Sequence, residues 1–258
     1  MRSSAAARPA PRGGLPPDVL GRFHEVSIET ADIRDSVQFY ERLGFVQAST
    51  TDTWTHPYGV LSDGRLFIGL HQRHFASPTL TFVRPGIAGA LEEFTSRGIE
   101  LTVSHTGEDI FNEIGFNDPA GHAVSVLEAR TYSPVGGPGT SGSLCGYFNE
   151  ISLPAADFEQ AREFWEPLGF VATGEEEEPY LHLPLTSDHL DIAFHRARTS
   201  DAPLLVFSDP QMAARLARLR ELGIGFSREL PRGMDRESNA LIEAPEGTML
   251  LLLQEASS

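Results

Sequence analysis

Residues 25–46, EVSIETADIRDSVQFYERLGFV, decide the fold, because the chain writes them a second time as EISLPAADFEQAREFWEPLGFV at residues 150–171. Ten of the 22 positions are identical at a constant offset of 125, without a gap. Glu25 matches Glu150, Ser27 matches Ser152, Asp32 matches Asp157 and Phe39 matches Phe164, while LGFV at 43–46 returns at 168–171. A self-match of this quality signals duplication, so the chain is read as two copies of the unit that this stretch begins.

The unit opens as a strand. From 23 to 29 the apolar residues Phe23, Val26 and Ile28 alternate with polar ones, with one slip, which puts Val26 and Ile28 on one face and Glu25, Ser27 and Glu29 on the other. Asp32 then stands where a helix is capped, Ile33, Val37, Tyr40 and Leu43 recur at helical spacing, and Gly44 stops the helix. Apolar residues at 58–61, a Ser-Asp-Gly turn at 62–64 and a strand over 65–72 complete a β-α-β-β-β module. A second module follows, with strands at 80–83, 101–104, 111–117 and 122–128, a helix over 87–96, and an Asp-Pro-Ala-Gly turn at 118–121. The order then repeats from 150 to 195 and from 204 to 253. The fold class is α+β: four βαβββ modules in two tandem domains, at 22–130 and 147–256. Residues 1–21, rich in Arg, Ala and Pro, are expected to be a disordered lead, and 131–146, with five glycines and two prolines, a flexible linker.

Composition narrows the partners. The 258 residues carry a formal charge of −16 with no basic run, which argues against nucleic acid. No apolar stretch approaches the roughly 20 residues that span a bilayer, so no membrane partner is expected. A single cysteine, Cys145, permits no intrachain disulfide and reads as a small buried or loop residue in a reducing, cytoplasmic protein. The acidic run 175–178 reads as a solvated loop, since adjacent like charges do not converge on an ion.

The helix pattern D-(I/F)-x-x-(S/A)-x-x-F-(Y/W)-x-x-L-G-F after a short strand, with the D-P-x-G-H turn before a terminal strand, resembles the vicinal oxygen chelate superfamily. Glyoxalase I, the bleomycin-resistance proteins, the extradiol dioxygenases and the fosfomycin-resistance enzymes belong to it. The resemblance runs over 23–255 and implies cupped mixed sheets, each with its helices on the outer face and a cavity within. In the enzymes of that superfamily a divalent metal sits in the cavity on His, Gln or Glu from the first and last strands of each module. Carried over one at a time, those positions hold Glu25, Thr79, Gly69 and Ser125 in the first domain, and Glu150, Leu204, Ala193 and Leu251 in the second. Only the two glutamates can ligate, and one carboxylate does not hold a divalent ion against water. No cofactor is expected on this reading; a divalent Fe, Mn, Ni or Zn is the alternative.

Alternation picks out what else shares the cavity face. Phe67, Gly69 and His71 point with Glu25, and Asp191, Ala193 and His195 point with Glu150. A Glu/His pair therefore recurs, Glu25 with His71 and Glu150 with His195. Ser27, Ser125 and Ser152 add hydroxyls, Phe111 and Glu113 approach from a neighbouring strand, and Trp54, Tyr58 and Phe67 supply aromatic walls. Each pair is open to three readings: a buried hydrogen bond inherited by both halves, a site that orients a polar organic ligand, or a catalytic pair, either a carboxylate-paired imidazole acting as general base or an unusual metal site in which Glu25 and His71, or Glu150 and His195, are joined by a ligand from the partner domain. His24 falls on the packing side by alternation, His122 is expected to face solvent, and His56, without a repeat partner, carries no weight. Leu204 and Leu251 predict that the second cavity is closed or purely hydrophobic. The expected function is binding of a small organic molecule in the first domain, as in the bleomycin-resistance proteins. A metal-dependent lyase, isomerase or dioxygenase, or a scaffold with vestigial pockets, are the alternatives. The chain is expected to be a monomer with pseudo-twofold domains or a homodimer.

Overall fold

The structure, a computed structural model, describes residues 19–50, 54–129, 142–227 and 229–255. The first domain comprises β1 (Arg22–Glu29), α1 (Ile33–Arg42), β2 (Val46–Gln47), β3 (Tyr58–Ser62) and β4 (Phe67–His71), then β5 (Thr79–Arg84), α2 (Ile87–Ser96), β6 (Leu101–His105), β7 (Glu113–Asn117) and β8 (Ala123–Glu128). Its eight strands form one sheet in the order β2-β3-β4-β1-β5-β8-β7-β6. Within each module the first and last strands pair in parallel, and the modules join where β1 runs antiparallel to β5. Both first strands therefore lie mid-sheet, with their polar side chains at the centre of the helix-free face.

The second domain repeats this with β9 (Tyr147–Pro154), α3 (Phe158–Trp165), β10 (Val171–Ala172), β11 (His182–Thr186), β12 (Asp191–His195), β13 (Leu204–Asp209), α4 (Met212–Glu221), β14 (Ala240–Glu243) and β15 (Met249–Gln254). Its sheet has seven strands, ordered β10-β11-β12-β9-β13-β15-β14. Among the described residues the fourth module is thus βαββ, one strand short of expectation. Between α4 and β14 the chain carries Gly225, Pro231 and Gly233, residues that weaken or interrupt a ladder. Leu230 and Met234 from this segment pack instead on Leu204, Val206 and Leu251, across the face that is a cavity in the first domain.

The repeated helix signature works as its residues require. Asp32 Oδ1 accepts from the amides of Arg34 (2.9 Å) and Asp35 (3.3 Å), and its counterpart Asp157 accepts from Gln160 (3.1 Å), satisfying first-turn donors. Gly44 and Gly169 take φ of 91° and 108°, where a side chain would be strained. Where α1 has Arg42 the copy has Pro167, which cannot donate in a helix interior, and α3 finishes in a short 3-10 turn at Glu166–Leu168.

The slip in the alternation of β1 is a β-bulge. Phe23 faces Phe82 and Glu25 faces Thr81, so His24 is an extra residue, and Asn149 is the extra residue at the same point of β9. The bulge corrects the placement of His24: its Nε2 lies 3.9 Å from Glu25 Oε2 rather than on the packing side.

One apolar core runs through both domains and includes residues of all four helices. Across it the domains grip each other reciprocally. Tyr40 Oη donates to Glu246 Oε1 (2.7 Å) and Ser36 Oγ to Glu246 Oε2 (2.8 Å), while Trp165 Nε1 donates to Asp118 Oδ2 (3.3 Å). Tyr40 and Trp165 occupy one position of the repeat, and Asp118 and Glu246 lie in corresponding turns. His122, expected to face solvent, is partly buried and donates from Nε2 to the Pro154 carbonyl of the other domain (2.8 Å). Val19 and Leu20, assigned by composition to the lead, are buried in the core, because two aliphatic side chains find an apolar site beside β1. The rest of the lead lies outside the described residues, as does the linker up to residue 141; beyond it the Leu144 amide donates to Leu43 O at 2.7 Å. Cys145 is fully buried, and desolvation pushes its thiol up to about 12, which removes it as a nucleophile.

Candidate functional site

Glu25, at the centre of the first sheet, is 1% exposed, so its carboxylate must be held by hydrogen bonds. Ser27 Oγ donates to Oε1 (2.8 Å) and Tyr58 Oη to Oε2 (2.6 Å), and His71 Nε2 lies 3.0 Å from Oε1. A carboxylate only accepts, which places the His71 proton on Nε2 and leaves Nδ1 as an acceptor. His56 Nε2 stands 2.9 Å from that Nδ1 and supplies the donor. The result is a directed chain, His56 to His71 to Glu25. Burial is the largest of the influences that hold the His56 imidazole below its usual range, and the Arg73 guanidinium acts in the same direction, in keeping with a neutral donor.

Space for this arrangement comes from Gly69. A Cβ built there would stand 2.1 Å from Glu25 Oε1, so the carboxylate folds into the volume that a side chain on β4 would fill. Ser27 Oγ reaches on to Thr81 Oγ1 (2.7 Å), extending the network onto β5. Rings close around His71: its centroid lies 4.6 Å from Tyr58, 5.1 Å from Trp54 and 5.5 Å from Phe75.

Beside His71 opens a cavity of about 160 Å³, lined by Ser27, Thr79, Thr81, Glu113 and Ser125 on its polar side and by Trp54, Phe75, Phe116 and Leu127 on its apolar side. Ser125 Oγ donates to Glu113 Oε1 (3.2 Å). Arg73, exposed, stands at its edge with its guanidinium 5.8 Å from the Trp54 ring. Of the residues singled out from sequence, Glu25, Ser27, Trp54, Tyr58, His71, Glu113 and Ser125 are brought together. Phe111 stands at the rim, 59% exposed and 6.4 Å from Trp54. Phe67 does not line the cavity. His56, Thr81 and Arg73 were missed, although residues 54, 56 and 58 share one parity, as do 79 and 81, and Trp54, Tyr58 and Thr79 were already named.

The second domain departs from the pattern. His195 Nδ1 pairs with Ser152 Oγ (2.8 Å) and its Nε2 with Ser200 O (3.1 Å); it makes no hydrogen bond to Glu150, contrary to the repeated Glu/His pair expected. Ala193 faces Ser152 as Gly69 faces Ser27, so its Cβ takes the space into which Glu25 folds in the first domain. Glu150 is left partly buried near Tyr180; burial, then the charges of Asp191 and Glu176, pushes it up to about 7. Desolvation holds His195 down to about 4. Leu204 and Leu251, whose aliphatic character predicted it, fill the rest of this face together with Val206.

The donors do not suit a divalent ion. At the positions carried over for ligands the first domain offers one carboxylate, a glycine and two hydroxyls, and both oxygens of that carboxylate are engaged by donors from the protein. The two nitrogens of His71 face different partners. Among the described residues, no three His, Cys, Asp or Glu side chains are placed so that together they could hold a metal ion.

No protein-family model matches the chain, and no curated protein does. Solved structures do. Catechol 2,3-dioxygenase aligns with a TM-score of 0.58 at 14% identity over 90% of this chain and 87% of its own. The 2,3-dioxygenase LapB from Pseudomonas sp. KL28 aligns at 0.57 and 17%, over 89% of this chain and 90% of its own. A variant of homoprotocatechuate 2,3-dioxygenase from B. fuscum aligns at 0.61 and 15%, over 96% of this chain and 74% of its own. At these identities the likeness is one of fold: the chain has the tandem vicinal oxygen chelate fold in the form that extradiol dioxygenases share. Among the described residues, no helix is long and apolar enough to cross a membrane.

Proposed function

We propose that the first domain binds a small organic molecule in the cavity beside His71, and that the second domain is its scaffold. One observation carries this: the same sheet face is an open, mixed polar and aromatic cavity in one copy and is filled by Leu204, Val206, Leu251, Leu230 and Met234 in the other. An apolar cavity of roughly 150 Å³ accommodates a benzene ring, so about 160 Å³ suits a single ring with a few substituents. His71, held between Glu25 and His56, contributes to the cavity wall, so that a ligand meets a preorganised surface. Recognition or sequestration, as in the bleomycin-resistance proteins, fits a site with this polar variety and without a divalent-ion donor set.

A second reading is favoured by the same chain of imidazoles. A carboxylate that fixes His71, which in turn accepts from His56, is an arrangement able to move a proton between a ligand and the protein. Metal content and ligand response separate the possibilities. Protein purified without chelator should contain no stoichiometric Fe, Mn, Ni or Zn, and a panel of monocyclic aromatic compounds should raise its melting temperature. Stoichiometric metal would replace this proposal with a metal-dependent lyase, isomerase or dioxygenase. Conversion of a bound compound without metal would establish the acid–base reading.

A further inference from the structure

Two side chains that carry hydrogen-bond donors, one buried and one exposed, stand at the edge of the first cavity. The indole Nε1 of Trp54 is buried and has no acceptor among the described residues. Beside it, the Arg73 guanidinium contacts only ring faces, 5.8 Å from Trp54 and 5.6 Å from Phe75, and no carboxylate pairs with it among the described residues. In a chain with 36 acidic and 20 basic residues, a guanidinium that lies near aromatic rings and forms no ion pair among the described residues is a departure from the prevailing charge. Buried polar groups are as a rule satisfied, so an orphaned indole N–H at a cavity wall asks for an acceptor that the protein does not supply. At the opposite, polar side Glu113 uses Oε1 for Ser125 and lines the cavity as an acceptor.

We propose that the ligand is a monocyclic organic anion, a ring carboxylate or its equivalent, whose negative group lies against Trp54 Nε1 and Arg73 while the ring occupies the apolar wall of Phe75, Phe116 and Leu127. The inference rests on the binding function proposed above and adds its charge class. Arg73 serves as the specificity-determining residue, because guanidinium matches a planar anion and keeps its charge at any physiological pH. A hydroxyl or amine on the far side of the ring meets the Glu113 carboxylate.

Benzoate and benzamide are matched probes, equal in shape and differing in charge. Calorimetric titration of the full chain should show benzoate binding more tightly than benzamide, and the difference should shrink as salt rises. Arg73→Gln should weaken benzoate by about fivefold and leave benzamide unchanged, as befits a partly exposed ion pair. Trp54→Phe, which keeps most of the ring, should weaken both by about fivefold, since each offers an acceptor oxygen. Arg73 is exposed, so its variant retains the fold, checked by an unchanged melting temperature. Equal binding of the two probes with no effect of Arg73→Gln overturns the anion assignment and leaves the cavity as a neutral-ligand site. Failure of both probes to bind at millimolar concentration overturns the assignment and the binding function together.

Discussion

A Cβ on Gly69 would stand 2.1 Å from Oε1 of Glu25, and at the same place in the second domain Ala193 carries that Cβ. The two copies thus differ by a methyl group at the point that decides whether the glutamate can fold back to its histidine. Gly69→Ala should therefore give the first domain the arrangement of the second: Glu25 leaves His71, and the ligand response is lost. The variant should be destabilised by about 1–3 kcal/mol, the usual cost of overpacking a buried site. Its reciprocal, Ala193→Gly, should let Glu150 approach His195. Histidine titration by NMR checks both: the His195 imidazole should titrate at higher pH in Ala193→Gly than in the parent.

Glu25 and His71 are 1% and 3% exposed, so binding and folding both draw on them. Glu25→Gln places an amide where three donors converge, and His71→Ala removes one of the three donors to Glu25 and takes from His56 its partner ring. Each substitution is expected to cost about 1–3 kcal/mol in chemical denaturation. The double variant should lose less than the sum, because the same hydrogen bond is removed in both singles. An additive result would show that the two side chains do not act as one network.

The fold was legible because its signals are local and written twice: an aspartate cap, a 3.6-residue stripe and a glycine stop at a fixed offset can be checked against each other. The missing strand of the fourth module was not, since Leu230 and Met234 read as well for an edge strand as for a plug. Within the site, Glu25 and His71 followed from alternation, but alternation fails at a bulge, which is why His24 was misplaced. His56 was passed over for want of a repeat partner, although it shares the parity of Trp54 and Tyr58. Duplication was also misleading in one respect. It predicted a second Glu/His pair, whereas His195 bonds Ser152 and Ser200, and the substitution of Ala193 for Gly69 at the matching position, legible in the sequence, says nothing of space until the strands are paired.

The domain interface makes its own prediction. Burial and the neighbouring Glu246 carboxylate raise the Tyr40 hydroxyl well above its ordinary range, so it remains protonated and donates. Tyr40→Phe leaves Glu246 with Ser36 as its remaining named donor and should cost about 1–2 kcal/mol. Glu246→Gln should cost less, since the amide oxygen still accepts from one hydroxyl while the amide NH2 can donate to the oxygen of the other. A double-mutant cycle between positions 40 and 246 should return a coupling of about 1 kcal/mol, and a value near zero would mean the contact does not hold the domains together.

The second domain predicts an unusual dependence of stability on pH. His195 titrates near 4 when folded against an ordinary 6.5, so between these values the unfolded chain binds more protons and stability rises with pH. Glu150 titrates near 7 when folded against an ordinary 4.5, so between these values the native state binds more protons and stability falls as pH rises. Over the shared window the two slopes oppose each other and largely cancel. Glu150→Gln removes one of them. The variant should match the parent near pH 4 and exceed it by about 1–3 kcal/mol at pH 8, with the gain held to that range by the partial exposure of Glu150. Its denaturation midpoints should climb from pH 4 to 6.5 where those of the parent stay nearly flat. A parent profile that climbs as steeply as the variant's would show that Glu150 is ionised throughout and that the filled face of the second domain is wetter than its leucines suggest.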